Sequence, residues 1–246
     1  MKSLVCDFSG IYREQKFCNG ENFRWLDCSK IRGTDCYLDD EAKAEIQKIF
    51  AQEELRNIHF IDSGNYHYLS KLWTDRIQEK FNLLVFDHHS DMQAPAFEGI
   101  LSCGGWVKAT LDENPFLQNV FLFGIREDHA LAIEKKYRSR VFVKTETECA
   151  QENFEYELPA EALSFPVYIS LDKDALPENE LKTNWDAGSF PLKKWEKVLQ
   201  KFIGKNSVLG IDICGEPSLQ REFSEDLEQS NQINFRLEKW LRKLFE

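Results

Sequence analysis

At 246 residues the chain has the length of one large α/β domain, residues 1–246. Its 42 acidic residues against 31 basic ones give a formal charge of −11, which disfavours nucleic-acid backbones and anionic membrane surfaces as partners. A hydrophobic content of 42% argues against a disordered chain, and no stretch approaches the roughly 18 consecutive apolar residues of a membrane span. The first residues, MKSLVCDFSGIYREQ, lack the apolar run and small-residue cleavage site of a secretory signal. Seven cysteines without a CxxC pair read as scattered reduced thiols, so a cytoplasmic location is expected.

In chain order, the first element is a helix over Asp39–Gln52, with Ala42, Ile46, Ile49 and Phe50 on one face and Asp39 or Asp40 as its cap. Strands follow at Asn57–Ile61, Leu83–Phe86, Val120–Phe123, Val141–Val143 and Val167–Leu171. A long polar loop, Leu176–Ser189, is a candidate substrate-side loop. Next comes a helix over Pro191–Ile203, striped by Leu192, Trp195, Leu199 and Phe202 and ended by Gly204. A strand at Val208–Ile213 precedes a C-terminal helix with Ile233, Leu237, Trp240, Leu241 and Leu244 on one side. Near-continuously apolar strands alternating with helices predict an α/β fold: a mainly parallel central sheet covered on both faces, with ligands at the carboxyl ends of its strands.

Chemistry concentrates at three of those strand ends. LLVFDHHSD runs a buried strand into Asp87, His88, His89, Ser90 and Asp91. Extended backbone would place Asp87, His89 and Asp91 on one side and His88 on the other. VYISLDKD ends in Asp172 and Asp174, with Lys173 facing away, and two aspartates this close repel unless a cation or proton intervenes. SGNYHYL sets His67 after a strand and a glycine turn. A lone Asp at a strand end is most often a cap and a lone His an ordinary hydrogen-bonding group. Four aspartates and two histidines gathered on one sheet edge instead suit a divalent-metal site. Carboxylate and imidazole without thiolate favour manganese or a similar ion over structural zinc.

These segments resemble the arginase–agmatinase–formiminoglutamase (ureohydrolase) family, of which the chain reads as a divergent member. Asp87, His89 and Asp91 match its Asp-x-His-x-Asp, Ser170, Asp172 and Asp174 its Ser-x-Asp-x-Asp, and Gly64 with His67 its upstream glycine–histidine turn. Gly124-Ile125-Arg126 and Ile211–Pro217 extend the similarity, so it runs from about residue 55 to 217 through short motifs. The resemblance implies a three-layer α/β/α, arginase–deacetylase-like fold. It also implies two Mn2+ ions held by His67, Asp87, His89, Asp91, Asp172 and Asp174, with Asp91 and Asp172 as bridges. The activity it implies is hydrolysis of a linear C–N bond of a small guanidino-type molecule by a metal-bridging hydroxide, in a possible homo-oligomer.

The departures bear on substrate. Where arginases carry a loop with a proton-shuttle histidine, this chain reads Leu101-Ser102-Cys103-Gly104-Gly105-Trp106. Pro177 and Glu178 stand where the family continues with Asp-Pro. Gly188–Glu196 offers lysines and a displaced Glu196 where a guanidinium-gripping glutamate is expected. Asp91 is the candidate proton relay and His129 a second candidate acid. Trp185, Asp186 and Glu216 are candidate substrate contacts, Asp186 for a cationic group and Trp185 for stacking. Alternatives are a formimino- or acetylamino-group amidohydrolase of the same fold, and an inactive metal-binding regulatory protein.

Overall fold

The computed structural model describes residues 2–95, 97, 99–219 and 224–245. In chain order its regular elements are β1 (Ser3–Asp7), β2 (Phe23–Asp27), β3 (Tyr37–Leu38), α1 (Asp40–Phe50), β4 (Ile58–Phe60), α2 (Leu69–Thr74), β5 (Phe81–Phe86), β6 (Leu101–Ser102) and α3 (Trp106–Glu113). They continue with β7 (Leu117–Ile125), α4 (Glu127–Ala132), β8 (Val141–Thr145), α5 (Glu146–Ala150), β9 (Val167–Asp172), α6 (Leu192–Ile203), β10 (Val208–Cys214) and α7 (Ser224–Leu241). Eight strands form one sheet in the order β2–β1–β4–β10–β9–β5–β7–β8. Every pairing in it is parallel, so all carboxyl ends open on one edge. The expected α/β architecture is thus observed.

Alternation along the strands divides the core into two layers. Leu83 and Val85 of β5 join one apolar cluster with Ile46 and Phe50 of α1, Trp73 of α2, and Trp106 and Leu111 of α3. Leu84 and Phe86 face the other way, packing with Trp195 and Phe202 of α6 and with Leu237 and Leu241 of α7. Each such buried side chain contributes about 1.5–3 kcal/mol, so the central strands are fixed from both sides.

Caps set the helix starts where the sequence placed them. The Asp39 side chain accepts from the Ala42 N–H at 2.8 Å, deciding between the two candidate caps of α1. Pro191 precedes α6, whose first free N–H, on Leu192, donates to Glu180 Oε2 at 2.9 Å. Not anticipated were β1 and β2, which complete one sheet edge, and the small antiparallel ribbon of β3 and β6. Two-residue strands carry too little periodicity to be read from sequence.

Candidate metal centre

Three of the six interior strands deliver the acidic and imidazole groups. Asp87 leaves β5, Asp172 ends β9, and His67 follows β4 through the turn Gly64–Tyr66. The chain past Asp87 is not extended. Asp87 Oδ1 accepts from the His89 N–H at 2.6 Å, and Asp91 adopts the left-handed φ of 49°. Convergence of Asp87, His89 and Asp91 therefore comes from a tight turn, which corrects the expectation of strand alternation. The turn is anchored in α3, whose Val107 N–H donates to the Asp91 carbonyl at 3.0 Å. On β9, Asp172 Oδ1 accepts from the Asp174 N–H at 2.9 Å and coils 173–175 into a single 3-10 turn.

The resulting geometry is tight. His67 Nδ1 lies 3.2 Å from Asp87 Oδ2, 3.1 Å from Asp91 Oδ2 and 3.3 Å from Asp172 Oδ2. His67 Nε2 pairs with Ser170 Oγ at 2.8 Å. With the imidazole proton on Nε2 and donated to Ser170, Nδ1 offers its lone pair to the centre. His89 Nδ1 stands 2.9 Å from Asp174 Oδ2 and 3.5 Å from Asp87 Oδ1. Two three-residue donor sets arise, His67–Asp87–Asp91 and Asp87–His89–Asp174, with the donor atoms of each within 4.8 Å of one another. Asp87 is the carboxylate common to both sets. A third set joins His67 and Asp172 to Cys214.

Electrostatics favour a cation here. Burial, then the neighbouring Asp174 and Asp87, pushes the Asp172 carboxyl well above the usual range, and burial followed by Asp87 raises Asp174. Burial works against a charged His67, but hydrogen bonding to Asp87 and Asp91 outweighs it and draws its pKa upward. Such crowded carboxylates retain protons unless a cation replaces them. With Nδ1 of His67 unprotonated, the buried Asp87 Oδ2 has no hydrogen-bond donor among the described residues, an orphan that a metal ion would satisfy. The donor set therefore fits two divalent ions.

Backbone shape admits this packing at two glycines. Gly215 has a φ of +82°, and a Cβ there would stand 2.2 Å from Asp172 Oδ1. A Cβ on Gly64 would meet Trp185 Cδ1 at 2.7 Å, so the glycine leaves room for the indole. Above the acids opens a pocket of about 280 Å3, walled by Cys36, Tyr37, Gln93, Ser102, Cys103 and Trp185. Trp185 is held there by its Nε1–H, which donates to Asn65 Oδ1 at 2.9 Å.

The pocket brings together His67, Asp87, His89, Asp91, Asp172, Asp174 and Trp185. Three other candidates lie elsewhere. Glu216 is fully buried and paired with Lys173. It also accepts from Gln15 Nε2 at 2.6 Å, Ser230 Oγ at 2.7 Å and Asn234 Nδ2 at 2.8 Å, so its substrate role is withdrawn. Asp186 is 63% exposed at the rim and pairs with Arg126 Nη1 at 3.1 Å, which leaves it outside the pocket wall. His129 stacks obliquely near His89 at 5.5 Å, but its Nδ1 meets the Ser90 N–H at 3.4 Å and its Nε2 meets Arg126 Nη2 at 3.1 Å. Burial and then Arg126 lower its pKa, so it is a neutral ring among donors and a poor acid. Trp106 was missed: its Nε1–H donates to Asp91 Oδ2 at 2.6 Å, a contact between sequence-distant turns that no local pattern signals.

A family model described as the arginase family matches residues 59–215. An uncharacterized protein of Thermotoga maritima is 30% identical over 234 residues, covering 94% of this chain and 85% of that protein. Among solved structures, formimidoylglutamase from Bacillus subtilis superposes with a TM-score of 0.66 at 14% identity, over 96% of this chain and 85% of that one. Arginase from Bacillus cereus gives 0.64 at 11% identity, over 96% and 98% of the two chains. Residues 59–215 hold every one of the six donors, from His67 to Asp174, and the chain belongs to the arginase family.

Proposed function

We propose that this protein is a dinuclear, manganese-dependent hydrolase of linear C–N bonds in small molecules. The observation that carries the reading is the pair of buried donor sets sharing Asp87 beneath one pocket. His67, Asp87, Asp91 and Asp172 would hold one ion, and Asp87, His89, Asp172 and Asp174 the other. When bound, two such ions supply Lewis acidity and bring the pKa of water from 15.7 to roughly neutrality.

The chain's own groups do the rest. Trp106 fixes Asp91 through Oδ2, leaving Oδ1 to take the proton of the attacking water and pass it to the departing nitrogen. Trp185 closes one side of the pocket and limits bulk water around the reacting carbon. The Ser170 hydroxyl holds His67 in the tautomer that presents Nδ1.

A second reading concerns the substrate. Among the described residues, the pocket wall offers no carboxylate beyond Asp87, Asp91, Asp172 and Asp174. A guanidinium therefore finds no additional acid to grip it, which favours a formimino group, with fewer N–H donors to satisfy, or an uncharged acetylamino group. The test is purified protein, loaded with Mn2+ and offered guanidino, formimino and acetylamino compounds. Urea release supports the guanidino reading, whereas formamide or acetate supports the amide-type one. Turnover of none, with Mn2+ bound, sinks the enzymatic reading and leaves a metal-dependent binding protein.

A further inference from the structure

Two pocket residues, Cys36 and Cys103, are unused by the chemistry above. The antiparallel pairing of β3 and β6, Tyr37 with Ser102 and Leu38 with Leu101, continues one step to set Cys36 opposite Cys103. There the Cys103 N–H donates to the Cys36 carbonyl at 2.9 Å. Cys36 takes a left-handed φ of 58° and Cys103 opens a 3-10 turn, so the pair sits just past the ladder, joined by that backbone hydrogen bond. A disulfide needs Cα atoms roughly 4.4–6.8 Å apart. Both residues line the same pocket. Burial raises both thiols above their usual pKa, and each acts on the titration of the other. Of the seven cysteines only Cys36 is partly exposed; Cys6, Cys18, Cys28, Cys149 and Cys214 are buried away from this ribbon.

We propose that Cys36 and Cys103 form a reversible modification site in the pocket wall, closed to a disulfide by low-molecular-weight disulfides such as oxidised glutathione. The more exposed Cys36, which burial and then Asp35 hold above its usual pKa, attacks through its minor thiolate fraction, forming a mixed disulfide and expelling one glutathione thiolate, which takes up a proton. Cys103 then displaces the second glutathione. Two protein S–H groups and one small disulfide thus become one protein S–S bond and two small thiols, with no other oxidant needed. The bond staples β3 to β6 immediately before the turn that carries Trp106, whose indole holds Asp91. Its effect on turnover rests on the hydrolase reading; formation of the bond does not.

Treatment of the reduced, folded full-length chain with oxidised glutathione, then alkylation of free thiols under denaturing, non-reducing conditions and peptide mass spectrometry, test the site. The expected result is that two of the seven thiols resist alkylation, that one peptide pair joins residues 36 and 103, and that dithiothreitol reverses both. Cys36→Ser and Cys103→Ser should each abolish the cross-link. Seven alkylatable thiols, or a lasting glutathione adduct on Cys36 with Cys103 free, would overturn the proposal. In Mn2+-loaded protein the oxidised form should turn over roughly tenfold more slowly or worse, since small displacements of reacting groups are that costly. Equal turnover of the two forms overturns the regulatory role. Reduced protein that turns over no substrate removes the hydrolase reading and leaves the cross-link to the mass spectrum.

Discussion

The indole of Trp106 reaches Asp91 Oδ2 at 2.6 Å, so one neutral side chain controls the orientation of a residue to which the proposed function gives two roles, metal donor and proton carrier. A hydrogen bond to a charged acceptor contributes about 1.5–3 kcal/mol. Trp106→Phe preserves the packing of α3 and should weaken Mn2+ binding by roughly one to two orders of magnitude, measurable by calorimetry. Unchanged affinity would show that Asp91 is held by other contacts. Asp62 behaves differently. It accepts from the Phe8 and Ser9 N–H groups at 2.9 Å and from the Ser63 N–H at 2.7 Å, yet burial dominates and pushes its pKa up to about 6. Because this exceeds the unfolded value of about 3.9, the folded state binds the proton more tightly. Its contribution to stability therefore grows as the pH falls from 7 through 6 toward 4, and is lost as the pH rises. Carbon-13 NMR of the side-chain carboxyl should give a midpoint near 6; a midpoint at the unfolded value refutes it.

Between elements, the most consequential contact is the one behind β9. Lys173 lies between two of the six donors, but its ammonium is fully buried on the far side, where it meets Glu216, Ser230 Oγ at 2.7 Å and Asn234 Oδ1 at 2.9 Å. These bonds tie the end of β9 and the exit of β10 to α7. Removing one partner of a buried ion pair strands the other charge and costs about 3–5 kcal/mol. Lys173→Met should lower the stability measured by urea unfolding by that amount, and adding Glu216→Gln should recover part of it. A single variant as stable as the parent would mean that α7 docks without the pair. The same ion pair turns Glu216 away from the pocket: a strand-end acid can serve either face of the edge, and only the partner lysine decides which.

For the molecule as a whole, the −11 charge includes four carboxylates packed at the carboxyl edge of the sheet. A ligand that binds only the folded state stabilises it by about 2.7 kcal/mol at a hundred times its dissociation constant. Saturating Mn2+ should then raise the melting temperature by roughly 5–10 °C, and a chelator should reverse the rise. Asp172→Ala should abolish most of the rise and lose at least one ion by elemental analysis; full occupancy in that variant would sink the assignment.

The sequence by itself determined the parallel sheet, the positions of its central strands and six candidate donors. These follow from short-range patterns: apolar runs in β5, β7, β9 and β10, and acids and imidazoles immediately after them. Tertiary structure alone decided which acid the two donor sets share, since Asp91 reaches the pocket through a left-handed turn rather than along a strand. It also decided that Glu216 faces Lys173 instead of the pocket, that Trp106 holds Asp91, and that Cys36 meets Cys103. Each of these depends on side chains far apart in the chain meeting at a particular angle, and periodicity carries no information about such angles.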